Sequence, residues 1–115
     1  MSKGTTTATK LSHVIQTMTE ELDRDAPITQ LLAFLMVATA GPAGISQTTV
    51  QKQLKLSTAA ISRTVQALSD VHYYKDRAGF GLVERIIDPT DNRFRTLKLT
   101  PNGEKLLAKV AEEMK

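Results

Sequence analysis

The chain has 115 residues and no cysteine, so it is sized for one domain, and disulfides, thiolate metal sites and cysteine nucleophiles are excluded. Hydrophobic residues make up 41% and charged residues 23%, which is ordinary for a globular protein, and the formal net charge is +3. Positive charge is concentrated in residues 47–98, where nine Lys and Arg face five acids. No signal peptide is visible, and the longest apolar run, residues 31–38, is too short to span a bilayer, so we expect a cytoplasmic protein without membrane contact.

Two helices are predicted in the N-terminal third. Residues 1–9 are small and polar and are expected to form a flexible lead, followed by a single domain over residues 10–115. In residues 10–22, apolar side chains recur at helical spacing: Leu11, Val14, Ile15, Met18 and Leu22. The second helix, residues 28–40, starts after Pro27 and is apolar nearly all round, so it should be central or covered by another chain.

Two short helices with the same type of start follow. Ser46 and Ser57 are good N-cap residues, each with an apolar residue before it and another at the fourth helical position. The helix of residues 47–54 is joined to the helix that Ser57 caps by a break of about three residues, 55–57, which indicates a helix-turn-helix.

The outward face of the helix at 57–69 is small and polar. Ile61, Val65 and Leu68 share one face and should point inward. The residues left facing outward are Thr58, Ala59, Ser62, Arg63 and Gln66. Such a face would enter a DNA groove, whereas bulky side chains would not. A plain solvated surface is the alternative, although such surfaces usually carry more Glu and Lys.

A hairpin and a last helix are predicted in the C-terminal third. Residues 71–80 show no period and form a connector, in which Tyr73 and Tyr74 are expected to pack at the rim of the core, with stacking on DNA as the alternative. Residues 82–87 and 94–99 alternate as half-buried strands. The apolar residues expected on their buried face are Val83, Ile87, Leu97 and Leu99. Asp88-Pro89 and Asp91-Asn92 supply the turn between the strands.

The last helix has a cap and an apolar stripe of its own. Thr100 is its predicted N-cap, and Pro101 occupies its first position. The stripe consists of Leu106, Leu107, Val110 and Met114.

This order of elements is a winged helix-turn-helix, a mainly α fold with a small β-hairpin (α+β). The segments ISQTTVQKQLKLSTAAISRTVQALSD (45–70) and GLVERIIDPTDNRFRTLKLTPNGEKLL (81–107) resemble the MarR family of bacterial transcription regulators, named for multiple antibiotic resistance. The resemblance covers residues 28–107. Its most specific part is the wing pattern of Asp91 and Arg93 followed by Leu-Thr-x-x-Gly at 99–103.

The resemblance implies a homodimer whose recognition helices, residues 57–69, lie in successive major grooves of double-stranded DNA. The wing arginine, Arg93, would enter the minor groove, where negative potential is high, and Asp91 would help to fix its pose. A surface ion pair at the turn is the alternative for these two residues.

Three groups of DNA-binding residues follow. Those on the recognition helix are Ser57, Thr58, Ala59, Ser62, Arg63 and Gln66, of which Arg63 and Gln66 are the candidates for bidentate contacts with bases. Those on the wing are Arg85, Asp91, Arg93, Arg95 and Lys98. The candidates for backbone contacts are Ser46, Thr48 and Thr49.

The chain departs from the family in length, because it stops twelve residues after Gly103, whereas family members usually have longer terminal helices. We therefore expect a compact member with a smaller dimer interface, for which the helix at 28–40 is a candidate surface beside the helix at 10–22. We expect no cofactor and no metal. A small-molecule effector is not expected either, because so short a chain leaves little room for a ligand pocket.

The sequence therefore predicts a sequence-specific DNA-binding transcription regulator, most simply a repressor that occludes a promoter. An enzyme is not favoured, since His13 and His72 have no paired acidic motif and no Gly-rich phosphate loop is present. The alternative is a winged-helix module for protein–protein interaction, or for non-specific DNA binding in a replication or partition complex. A protein-binding wing should expose apolar residues at its tip, and this tip carries Pro89, Thr90, Asp91 and Asn92.

Overall fold

The computed structural model describes residues 3–23, 25–69, 79–87, 89–90 and 94–115. The elements in these ranges are α1 (Lys3–Glu21), α2 (Ile28–Ala40), a 3-10 turn (Gly41–Ala43), β1 (Ile45–Ser46), α3 (Gln47–Leu54), α4 (Thr58–Leu68), β2 (Val83–Ile87), β3 (Arg95–Leu99) and α5 (Pro101–Glu113). The predicted fold class is confirmed. Tyr73, Tyr74, Asp91 and Arg93 lie outside the described residues, so the predictions for them stay predictions.

The second helix is central, as predicted. Leu31, Phe34 and Val37 of α2 are buried among apolar side chains of the other helices and of the sheet. Burying a large apolar side chain contributes roughly 1.5–3 kcal/mol, so this helix anchors the fold. Two of its apolar side chains, Ile28 and Leu32, nevertheless remain exposed.

The first helix starts seven residues earlier than predicted, at Lys3 rather than Lys10. Residues 3–9 are helical and exposed, and the Thr7 and Thr9 hydroxyls donate hydrogen bonds to the carbonyls four residues earlier (2.9 and 3.0 Å). This segment packs no apolar residue into the core, so the apolar period cannot mark it. Residues 3–9 therefore do not form the irregular lead expected from their composition.

The helix caps are those predicted. The Ser46, Ser57 and Thr100 hydroxyls each accept the backbone N–H three residues later, from Thr49, Ala60 and Gly103. These contacts satisfy donors that an α-helix leaves unpaired in its first turn, and each is worth about 1 kcal/mol. They fix where α3, α4 and α5 begin.

The sheet has a third strand that the sequence did not reveal. The strand order is β1-β3-β2, with Ile45 opposite Leu97 and Ser46 opposite Thr96. The third strand is only two residues long, so no alternation could indicate it. This strand connects the start of α3 to the wing, which is the hairpin formed by β2 and β3. The pairing limits how the helix-turn-helix and the wing move relative to each other.

The Leu-Thr-x-x-Gly motif is a packing device. The Thr100 hydroxyl donates to the Gly81 carbonyl at 2.6 Å while it accepts the Gly103 N–H at 3.0 Å. A Cβ at position 103 would overlap the Leu82 carbonyl and crowd Leu99, so only glycine lets α5 approach so closely. The motif therefore locks the last helix against the base of the wing.

The terminal helices α1 and α5 pack against each other through polar contacts at their edge. Lys109 donates to Glu21 at 2.6 Å, and Thr17 donates to Glu113 at 3.2 Å. The hydrogen bond and the charge of Glu21 raise the pKa of Lys109 above its usual value, so the contact favours the charged form of this amine.

Candidate nucleic-acid interface

The outward face of α4 is arranged as predicted. Ile61, Val65 and Leu68 are buried, while Ser57, Thr58, Ala59 and Arg63 are exposed and Ser62 and Gln66 are half-buried. Small side chains therefore occupy the first turn, and the longer Arg63 and Gln66 follow one and two turns later. Arg63 Nε donates to the Ala59 carbonyl at 3.4 Å, and Gln66 Nε2 donates to Ser62 Oγ at 3.4 Å, so both side chains lie along the helix.

A left-handed residue sets the angle between α3 and α4. Lys55 ends α3 with φ 56° and ψ 44°, a conformation that side chains with a Cβ rarely adopt. Its N–H donates to the Lys52 carbonyl at 3.2 Å, and the Leu56 N–H donates to the Gln51 carbonyl at 3.0 Å. These hydrogen bonds close the short turn and fix the direction in which α4 leaves α3.

A polar cleft of about 410 Å³ separates the helix-turn-helix from the wing. We call it the helix–wing cleft. The residues that line it are Gln47, Thr48 and Gln51 of α3, Thr58, Ile61, Ser62 and Gln66 of α4, Arg85 of β2 and Arg95 of β3. Among the described residues, no carboxylate lines the cleft. The cleft thus brings predicted residues of the recognition helix (Thr58, Ser62 and Gln66) together with the predicted wing residues Arg85 and Arg95.

Sequence reasoning missed Gln47 and Gln51 as residues of this site. Gln47 Oε1 is enclosed in the protein without a hydrogen-bond partner, and Gln51 Nε2 lies 3.4 Å from the Thr58 hydroxyl. A signal was present, because residues four apart lie on the same face of a helix. These two glutamines therefore mark the side of α3 that faces α4 and the wing.

The three wing cations that the structure describes, Arg85, Arg95 and Lys98, lie on two different faces of the sheet. Arg85 is opposite Leu97 and Arg95 is opposite Ile87, so both arginines lie on the face that meets the cleft. Lys98 is opposite Glu84 on the other face. Lys98 therefore does not share a face with Arg85 and Arg95, although all three are predicted DNA-binding residues of the wing.

The three residues predicted to contact the DNA backbone differ in how accessible their hydroxyls are. The Ser46 and Thr49 hydroxyls are 2.7 Å apart and bond to each other, and Ser46 also accepts the Thr49 N–H. Thr48 is exposed and lines the cleft. Thr48 thus has the hydroxyl that is most accessible to a ligand.

One apolar side chain of the wing is exposed against expectation: Ile87, predicted on the buried face, is 48% exposed. Ile86 and Phe94, which the alternation places on the outward face, are 42% and 59% exposed. Val83 and Leu97, nearer the base of the hairpin, are buried as predicted. The difference arises because the core ends at the base of the wing, and the distal half of the hairpin extends beyond it.

The ion pairs found among the described residues lie away from the interface. They join α1 to α5 or lie at the end of α5. Arg95 Nε is enclosed and has no hydrogen-bond partner. The cleft therefore has positive charge that no carboxylate of the described residues neutralises.

Comparisons with known proteins identify the fold. No protein-family profile matches the chain, and no curated protein matches it. A solved S. aureus MepR–DNA complex is similar, with a TM-score of 0.63 and 22% identity over 90% of this chain and 81% of MepR. A MarR variant from E. coli in complex with operator DNA has a TM-score of 0.60 and 22% identity over 95% of this chain and 71% of MarR.

A third similar structure is the PcaV transcriptional regulator from Streptomyces coelicolor, with a TM-score of 0.60 and 19% identity over 99% of this chain and 76% of PcaV. These similarities confirm the fold implied by the resemblance: the chain has the winged-helix fold of MarR-type regulators. At such identities they do not transfer an activity.

The expectation of no small-molecule effector is not supported. PcaV was also solved in complex with its natural ligand, and that structure matches 90% of this chain with a TM-score of 0.57. The expectation was based on chain length, and most of this chain corresponds to a fold that holds a ligand in PcaV.

No helix among the described residues is long and apolar enough to cross a membrane.

Proposed function

We propose that this chain is a cytoplasmic regulator of transcription that binds double-stranded DNA in a sequence-specific manner as a homodimer. It acts as a repressor that occludes a promoter. Residues 57–69 read the major groove, and the wing, with Arg93 at its tip, contacts the adjacent minor groove. Among the neighbours of the same fold, MepR and a MarR variant were solved with DNA, which supports this proposal by analogy.

The observation that carries the proposal is the chemistry of α4 and its surroundings. The exposed side chains of its first turn are small, Arg63 is exposed behind them, and Arg85 and Arg95 lie across a cleft that no acid of the described residues lines. The major groove admits an α-helix, a first turn of small side chains lets that helix approach the base edges closely, and cations beside it favour the phosphates. A solvated surface helix would need neither feature.

A charge substitution on α4 tests the proposal. Ala59 is exposed in the first turn, where a carboxylate stabilises a helix through the helix dipole. Ala59→Glu should therefore preserve folding but repel DNA, and we expect binding of duplex DNA to weaken by about tenfold or more. The matched control is Ala108→Glu on the exposed face of α5, which should change affinity by less than about twofold. Equal affinities for both variants and the wild type would contradict the proposal.

One observation favours a second function, a module that binds protein through its wing. Ile86, Ile87 and Phe94 are exposed on the distal wing, as a protein-docking surface requires. The double variant Ile86→Ser, Ile87→Ser discriminates between the two functions. If the wing docks a protein, this variant should fail to bind a protein that the wild type binds, while its DNA affinity is unchanged. If the wing serves DNA alone, the variant and the wild type should not differ in any protein that they bind.

A further inference from the structure

The two arginines of the helix–wing cleft form a pair on one sheet face. Because Arg85 is opposite Leu97 and Arg95 lies two residues before Leu97, the arginines are diagonal neighbours across β2 and β3. Side chains in diagonal positions are within reach of each other when they are as long as arginine. The wing thus holds two arginine side chains on one face, and both line the cleft.

No acid on these strands neutralises the pair. The only acid of β2 and β3 is Glu84, and the register places it opposite Lys98 on the other face. Neither arginine takes part in the ion pairs found among the described residues. Two like charges that line the same cleft repel each other, so an anion bound between them would be stabilised by both.

The cleft also contains polar atoms that lack partners. Arg95 Nε is enclosed and unpaired, and so is the amide oxygen of Gln47. A buried donor without an acceptor is unfavourable, which favours an occupant that accepts hydrogen bonds. Rotation of the Gln47 amide by half a turn would place its NH₂ group where the oxygen lies, so Gln47 could donate as well.

Duplex geometry indicates which anion this is. The major and minor grooves are separated by one sugar–phosphate backbone. A protein with a helix in the major groove and a wing in the adjacent minor groove must hold that backbone between the two elements. In this chain the space between them is the helix–wing cleft, whose walls are α4 and the two wing arginines.

We propose that Arg85 and Arg95 clamp one phosphodiester group of the duplex backbone in the helix–wing cleft, with Gln47 as a third donor. This inference rests on the proposed DNA-binding function and adds to it a specific contact. A planar guanidinium can bind two phosphate oxygens at once, so the clamp fixes the position of the wing relative to α4. It does not read sequence, because the phosphate is the same at every step.

The test neutralises single phosphates in a bound duplex. Methylphosphonates are introduced one position at a time, and affinities are measured for the wild type, Arg95→Gln and the control Lys105→Gln, which removes an exposed charge on α5. In the wild type we expect one position per half-site at which neutralisation weakens binding by about tenfold or more. Arg95→Gln should be nearly insensitive at that position, whereas Lys105→Gln should respond as the wild type does.

Two further variants guard against a folding defect. Arg85→Gln should lose sensitivity at the same phosphate, and Arg95→Lys, which keeps the charge but lacks the planar fork, should be intermediate. Full sensitivity of Arg95→Gln and Arg85→Gln at every phosphate, together with DNA binding by the wild type, would overturn the clamp but leave the proposed function standing. Absence of DNA binding by the wild type would overturn both.

Inorganic phosphate distinguishes a backbone clamp from a site for a free anion. The Arg95 side-chain NMR resonance is followed during a phosphate titration without DNA. The clamp predicts weak, unsaturated shifts up to several millimolar, because a single anion lacks the remaining duplex contacts. Saturation at micromolar phosphate would overturn the proposal in favour of a free-anion site.

Discussion

Gly103 and Thr100 show how single residues determine where the last helix lies. The Thr100 hydroxyl bonds to both the Gly81 carbonyl and the Gly103 N–H, and the missing side chain at 103 leaves space for the Leu82 carbonyl. The position of the base of the wing relative to α5 therefore depends on the Thr100 hydroxyl and on the absence of a side chain at position 103. This is the physical content of the Leu-Thr-x-x-Gly motif.

Substitution of Gly103 by alanine should destabilise the fold. A Cβ there would meet backbone atoms that cannot rotate away, so we expect the free energy of unfolding to fall by about 1–3 kcal/mol. Urea denaturation followed by circular dichroism measures this. Gly4→Ala in the exposed first turn of α1 is the control, and it should be neutral or slightly stabilising. Equal stability of Gly103→Ala and the wild type would show that α5 does not pack as described.

The prediction on base specificity concerns Arg63 and Gln66. Each can make bidentate contacts with a base, so Arg63→Ala or Gln66→Ala should relax the preference at one position of the site and cost roughly 1–3 kcal/mol there. Binding to a set of duplexes with single base changes measures the profile. An unchanged profile in both variants would refute this assignment.

At the scale of elements, the helix starts were predictable because their signals are local. The caps at Ser46, Ser57 and Thr100 involve residues only three positions apart, so sequence alone contains both partners. The helix at 28–40 was bounded correctly by Pro27 and Gly41 for the same reason. Local signals therefore predicted most of the helical architecture.

Elements that depend on distant partners were not predictable to the same extent. The strand at Ile45–Ser46 exists because β3 lies beside it, and the early start of α1 has no apolar marker. The helix–wing cleft joins α3 to wing residues far along the chain, so spacing could place Gln47 and Gln51 on one face of α3 but could not show that this face meets the wing. The alternation of residues 94–99, in contrast, already separates Lys98 from Arg95, but the two were grouped by charge.

A further prediction concerns the wing and the salt dependence of DNA binding. If Arg93 enters the minor groove, Arg93→Ala should weaken binding and lower the slope of log K against log salt by about one unit. Fluorescence anisotropy over a range of salt concentrations measures both. The same affinity and slope as in the wild type would show that the tip of the wing does not touch DNA.

At the scale of the molecule, exposed apolar side chains identify two candidate surfaces for a dimer. One comprises Leu11 and Ile15 of α1, which packs beside α5, and the other comprises Ile28 and Leu32 of α2. Apolar patches of this kind on a small protein often mark an interface. Both surfaces belong to the two helices from which the sequence predicted the dimer interface.

Analytical ultracentrifugation at micromolar concentration should therefore show a dimer. The double variant Leu11→Ser, Ile15→Ser should shift it towards monomer and weaken DNA binding, because two half-sites would no longer be held together. The double variant Ile28→Ser, Leu32→Ser tests the second surface in the same way. A wild type that sediments as a monomer would count against binding to two half-sites.

The central claim is sequence-specific binding of duplex DNA, and selection from a random duplex pool tests it most directly. After several rounds of binding and amplification, the enriched duplexes are sequenced. We predict an inverted repeat whose half-site centres are about one helical turn apart, roughly 34–36 Å. Salt-sensitive retention without an enriched motif, or no retention at low salt, would contradict the claim and leave a non-specific or protein-binding winged helix.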